Sequence, residues 1–122
     1  MRFKIVLYAI ALLSMQTFSF GQFTKLMDLN NTETGFGPYY IALISDGNWL
    51  YGTASNGGEY NGGSIYKIKP DGSEFEKIFD FENALTGQVP ESGVILIGEY
   101  LYGNTASGGE FGYGTLFKVK TD

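Results

Sequence analysis

The stretch Gly63-Ser64-Ile65-Tyr66-Lys67-Ile68-Lys69 returns 51 positions later as Gly114-Thr115-Leu116-Phe117-Lys118-Val119-Lys120, and this recurrence decides the fold. In both copies the side chains alternate with a period of two, the period of a β-strand. Tyr66 and Ile68 fall on one face, matched by Phe117 and Val119; Ile65, Lys67 and Lys69 fall on the other, matched by Leu116, Lys118 and Lys120. A strand that is half apolar and half lysine suits an outer edge, where charge discourages pairing with another chain.

Upstream of these strands the correspondence continues. Phe23-Thr24-Lys25-Leu26-Met27-Asp28-Leu29 returns as Phe75-Glu76-Lys77-Ile78-Phe79-Asp80-Phe81 at an offset of 52, and Asn31, Thr34, Gly35 and Pro38 return as Asn83, Thr86, Gly87 and Pro90. One residue is lost before Gly93. Leu50-Tyr51-Gly52 then returns as Leu101-Tyr102-Gly103, and Gly57-Gly58-Glu59 as Gly108-Gly109-Glu110. Self-similarity at a fixed period is the signature of a repeat architecture. The chain divides into residues 1–21, a repeat unit at 23–73, and a second at 75–122 that stops short of the first unit's Pro70-Asp71-Gly72 turn.

The spacing predicts four short strands per unit: Thr24–Leu29, Tyr39–Ser45, Asn48–Thr53 and Gly63–Lys69, then Glu76–Phe81, Ser92–Ile97, Tyr100–Asn104 and Gly114–Lys120. Tyr39–Ser45 is almost unbroken in its apolarity and reads as a central strand covered on both faces. Asp46-Gly47 reads as a type I′ hairpin turn, and Gly98-Glu99, with Gly first, as type II′. Beyond the N-terminal residues no window carries a 3.6-residue period. The expected fold is therefore all-β: two four-stranded antiparallel units resembling β-propeller blades. Two blades fall short of the roughly 4–8 of a closed propeller. The expectation is an incomplete propeller, either a piece of a longer array or one that completes its sheet by self-association.

Leu50-Tyr51-Gly52-Thr53-Ala54-Ser55, Gly57-Gly58, Gly63-Ser64-Ile65-Tyr66-Lys67-Ile68 and Pro70-Asp71-Gly72-Ser73 together resemble the Gloeo/Verruco (GloVer) tandem repeat, in order and spacing. The second copy departs from that pattern mainly at Asn104. The resemblance covers essentially all of 23–122. It implies a secreted bacterial repeat protein with a propeller-like β architecture, and it supplies no catalytic or binding residues to carry over.

The first residues form a separate object. Arg2 and Lys4 precede the apolar run Ile5–Leu13, and Ser19 and Gly21 offer small residues before Gln22. That is the layout of a secretory signal peptide. The run is about half the roughly 20 residues that cross a bilayer, so no membrane span is expected after cleavage. The expected location is secreted or cell surface, extracellular or periplasmic. Past residue 21 the chain carries 6 Lys, no Arg and 13 Asp and Glu, a formal net charge of −7. Nucleic-acid binding needs a basic footprint, so no nucleic-acid partner is expected. With no Cys and no His, the chain has no disulfide framework, thiolate nucleophile or imidazole base. No catalytic residue, metal site or cofactor is assigned.

Several residues still invite a functional reading. Asn56-Gly57-Gly58-Glu59 and Ser107-Gly108-Gly109-Glu110 look like phosphate loops, but they lack the Lys and the helix N-terminus that such loops need, and read better as blade loops requiring permissive φ. The turns Asp46-Gly47-Asn48 and Asp71-Gly72-Ser73 lack the alternating acids and distal Glu of a calcium loop; a metal would be best placed at Glu59 or Glu110. Asp28 and Asp80 offer carboxylates of the kind glycoside hydrolysis uses, yet a residue repeated in every unit more naturally serves the unit, as an Asp bonded to backbone amides. The ligand-contact candidates are aromatic: Trp49 and Tyr100 at one repeat position, Tyr60 and Phe111 at another. Exposed rings of this kind contact sugars or proteins, although blade-to-blade packing would use them too. The sequence-level expectation is a non-catalytic scaffold for a protein or glycan partner; the alternatives are a hydrolytic propeller enzyme and a structural or adhesive array.

Overall fold

A computed structural model describes residues 21–122; the expected signal peptide at 1–21 lies outside the described residues except for Gly21. The strands are β1 (Ile44–Ser45), β2 (Leu50–Ala54), β3 (Ser64–Ile68), β4 (Glu76–Asp80), β5 (Val94–Ile97), β6 (Tyr100–Asn104) and β7 (Leu116–Lys120), with one helical turn, α1 (Asn83–Thr86). They form two antiparallel sheets, ordered β1-β2-β3-β4 and β5-β6-β7. The all-β architecture is as expected. The strand count is corrected: one sheet has four strands and the other three, in place of two four-stranded units.

The correction has a single cause. The repeat begins one strand ahead of the sheet it completes. Glu76–Asp80, the first strand of the second repeat unit, pairs with β3 and becomes the fourth strand of the first sheet. Its counterpart Thr24–Leu29, expected as a strand, has no ladder partner among the described residues and runs as irregular chain. The expected outer strand Gly63–Lys69 is accordingly interior: β3 is bonded on both sides and buried throughout. The alternation of buried and exposed residues expected of an edge appears in β5 and β7, the two edges of the second sheet. Tyr39–Ser45 also differs, forming a strand only at Ile44–Ser45 on the sheet margin, with Tyr39, Tyr40 and Leu43 exposed.

Local chemistry explains the turns. Asp46 Oδ1 accepts hydrogen bonds from the Asn48 and Trp49 amides, both at 2.8 Å. This places Asp46 at the first corner of the turn and Gly47-Asn48 at its centre. Gly47 has φ +93° while Asn48 is not left-handed, so positive φ falls at the first central residue, as in type II′ rather than the expected type I′. Gly98, at φ +60° ahead of Glu99, takes the expected position. Ahead of each sheet a threonine closes a tight turn on its own backbone: the Asn30 amide donates to Thr34 Oγ1 at 2.6 Å, and the Glu82 amide to Thr86 Oγ1 at 2.7 Å.

The core lies between the sheets. Tyr51 and Ile65 of the first sheet meet Val94 and Leu101 of the second, and Phe81, just past β4, is wedged among them. The Phe81 ring stands edge-on to Phe79 at 5.1 Å and to Phe117 at 5.0 Å. Complete burial of such a ring is worth about 1.5–3 kcal/mol. It also fixes how the second sheet sits on the first.

Candidate functional site

The four aromatic candidates do not converge. Trp49 immediately precedes β2 and Tyr100 opens β6, whereas Tyr60 and Phe111 sit in the Gly-rich loops beyond the opposite ends of those strands. A five-residue strand at about 3.3 Å per residue separates the two positions by roughly 15 Å. They form two pairs at opposite ends of the sheets.

The Trp49 pair is committed to packing and charge. Trp49 is half-buried against the core, and Lys67 and Lys69 place their ammonium groups 4.7 and 4.0 Å from its ring centre. Tyr100 holds the same relation to Lys118, at 5.0 Å. The strand alternation puts these lysines on the same face as the aromatic rings of the neighbouring strand, Lys67 opposite Tyr51 and Lys118 opposite Tyr102, and the ring faces attract them diagonally. Lys67 is further fixed by Glu76 at 3.2 Å and by the Thr121 carbonyl at 2.9 Å.

The Tyr60 pair faces solvent: Tyr60 is 53% exposed and Phe111 79%. Glu59, Glu82 and Asp80 lie close enough to the Tyr60 hydroxyl for their charges to act on it. The charge of Glu59 is the largest influence raising its pKa, followed by slight desolvation and by the other two carboxylates. This loop end is therefore aromatic and acidic.

The Gly-rich loops are consumed by the fold. Gly57 and Gly58 have φ +72° and +78°, a region costly for other residues. The Gly58 amide donates to the Asn31 carbonyl at 2.7 Å, and Gly109 repeats this on Asn83 at 2.7 Å. A phosphate would have to displace these carbonyls. Asp80 is engaged likewise: Oδ1 accepts the Glu59 amide at 2.9 Å and Oδ2 pairs with Lys77 at 2.9 Å. Asp28 pairs with Lys25 at 2.8 Å. Asp71 caps its own turn, and the Ser73 hydroxyl and amide hold its carboxyl below the usual range. Among the described residues no three carboxylates converge in the manner of a metal cage.

Concavity lies elsewhere. Hollows of about 380 and 300 Å³ flank β7, both lined by Leu116 and Phe117 and neither by an aromatic candidate. The sequence expectation of an incomplete sheet did not place this surface, because it took the half-lysine strands Gly63–Lys69 and Gly114–Lys120 as the outer strands of their units. The signal that reveals it is the position of Phe75–Phe81, which follows β3 in sequence and pairs with it as β4.

Compared with known proteins, residues 11–122 match the profile of the Gloeobacter/Verrucomicrobia repeat. No curated protein and no solved structure matches the chain.

Proposed function

Because the chain belongs to the Gloeobacter/Verrucomicrobia repeat family, we infer that it works as a repeat array does, presenting the same loop from successive β units to a partner. The reading is of an exported, propeller-like, non-catalytic scaffold. The observation that carries it is the repeated loop with an exposed ring beside a carboxylate: Glu59-Tyr60 in one unit and Glu110-Phe111 in the next. Such a ring offers a stacking face to a neutral sugar or a rigid contact to a protein, and the adjacent acid accepts hydrogen bonds from hydroxyls or amides. The acidic surface disfavours polyanions. The carboxylates that a hydrolase reading would recruit, Asp28 and Asp80, are each paired within their own segment. Export rests on the basic, apolar and small-residue layout of residues 1–21.

The test is a glycan array and a protein-capture assay run beside a hydrolase panel, on the parent and on a Tyr60→Ala/Phe111→Ala double variant. Binding that falls at least tenfold in the double variant while its melting curve holds supports the reading. Turnover in the panel, or binding indifferent to both rings, overturns it. A reporter fused after Phe23 should be exported and recovered with Gln22 at its N-terminus.

A further inference from the structure

The chain contains an example of how its own open edge is filled. In the first sheet, β4 lies along β3 with Ile65 opposite Phe79, Tyr66 opposite Lys77 and Lys67 opposite Glu76, with a bulge between Ile65 and Tyr66. Beyond the ladder, Asp80 accepts the Glu59 amide at 2.9 Å, and the Phe81 amide donates to the Gly63 carbonyl at 2.9 Å. In the second sheet none of the corresponding positions is paired among the described residues. β7 pairs with β6 alone, and neither the Glu110 amide nor the Gly114 carbonyl has a hydrogen-bond partner among the described residues. The consequence shows in exposure: Ile65 is 0% exposed, its counterpart Leu116 87%.

The same chain carries the strand that fits. Phe23–Leu29 is the counterpart of Phe75–Phe81. Its Lys25–Asp28 ion pair at 2.8 Å already copies Lys77–Asp80 at 2.9 Å. Its apolar side is seated as β4's is: Leu26, Met27 and Leu29 share a hollow with Leu43, Tyr66 and Ile68. In the second unit the counterparts Ile78, Phe79 and Phe81 cluster with Val94, Phe117 and Val119. The segment and the second sheet lie on opposite faces of the first sheet, because Tyr66 and Ile68 face the segment while Ile65 faces the core. Within one chain, therefore, Phe23–Leu29 and β7 are held apart by the whole first sheet.

We propose that Phe23–Leu29 of one chain adds as the fourth strand to β7 of a second copy, so that copies join head to tail. Carrying the β3–β4 register across by the repeat sets Leu116 opposite Met27 of the second copy, Phe117 opposite its Lys25 and Lys118 opposite its Thr24. Asp28 of the second copy then accepts from the Glu110 amide. The apolar face at Ile95, Tyr102 and Leu116, counterpart of the buried Ile44, Tyr51 and Ile65 face, is covered by the second copy's first sheet. A head-to-tail contact is heterologous and closes into a ring when its rotation allows. With two sheets per chain and roughly 4–8 blades in a propeller, the ring holds about 2–4 chains. One position refines the fit: at Gly62 a Cβ would collide with the Phe81 carbonyl, and its counterpart is Tyr113. The incoming segment must turn aside there, and Tyr113→Gly should tighten the assembly.

The sequence has no Cys, so cross-linking reads the register directly. A Met27→Cys chain mixed with a Leu116→Cys chain should oxidise to a disulfide-linked heterodimer, while Met27→Cys mixed with Lys120→Cys should not. Light scattering should give the parent a mass about two to four times that of the protomer, and Leu116→Glu should return it to the protomer with unchanged circular dichroism. A parent that is monomeric at all concentrations overturns the proposal. So does an assembly that survives Leu116→Glu without the Met27–Leu116 cross-link. Because Tyr60 and Phe111 take no part, loss of partner binding through those rings leaves this outcome unaffected.

Discussion

Asp46 and Tyr51 show how a single turn is tied to the core. Tyr51 is buried at 2% exposure and its hydroxyl donates to Asp46 Oδ2 at 2.8 Å. Burial first, then that hydrogen bond and the Asp46 charge, push its pKa up to about 12 from an ordinary 10.0. The folded chain thus keeps a proton that the unfolded chain gives up near pH 10. Its contribution to stability is complete below that pH and is lost as pH rises toward 12. Burial would raise the Asp46 carboxyl too, but the Trp49 and Asn48 amides and the Tyr51 hydroxyl outweigh it and bring its pKa below 3.8. The Asp46 contribution is therefore present above pH 3.8 and fades as pH falls through the lower folded value. Denaturant titrations across pH should show the alkaline loss shrinking in Tyr51→Phe, with the acid limb shrinking in Asp46→Asn; an alkaline limb unchanged in Tyr51→Phe would assign it to another group. A second residue carries strain. Val89 has φ +60° where its counterpart Gly37 has +68°, and a β-branched residue in the left-handed region costs about 1–2 kcal/mol. Val89→Asn should stabilise the protein by about 1 kcal/mol, seen as a higher denaturation midpoint at constant slope.

Among the elements, β4 carries into the core between the sheets through Phe81, the residue that follows it. Phe81→Ala should cost about 3–5 kcal/mol, because the ring fills the space between sheets and leaves a cavity. Leu85→Ala, at a residue 76% exposed, should stay within about 0.5 kcal/mol. Chemical denaturation separates the two, and similar losses would mean that Phe81 does not wedge the sheets as described. This element also marks where the sequence was legible. Alternation in Ser64–Ile68 and Leu116–Lys120 announced strands, and Gly-first chemistry announced the Gly98-Glu99 turn, because both signals are local. Pairing is not local. Nothing in Glu76–Asp80 itself says whether it joins the strand behind it or the strand ahead, so the count of strands per sheet was misjudged and β3 was taken for an edge. Tyr39–Ser45 misled for a related reason, since an apolar run reports that burial is available without reporting where. Of the site candidates, Asp80 was legible as a residue serving its own unit, because a carboxylate recurring with the period recurs with a structural need. The separation of Trp49 and Tyr100 from Tyr60 and Phe111 required knowing which end of a strand each occupied.

Taken as a whole, the molecule should change its protection pattern on association. At low concentration the amides of residues 23–29 and the outward amides of β7 should exchange freely with deuterium, while those of β3, bonded on both sides, exchange slowly. Raising the concentration should slow exchange in 23–29 and 116–120 together and leave 64–68 unchanged; protection gained in only one of the two segments would mean that they do not pair. The one-strand offset between repeat and sheet reaches past a single molecule. A gene that duplicates one whole period inserts a strand donor and a strand acceptor together, each already matched to its neighbours. Each added period then pairs with its neighbours as the first pairs with the second. Growth by duplication therefore leaves every internal sheet complete, whereas a fragment cut to residues 23–73 carries a sheet without its fourth strand.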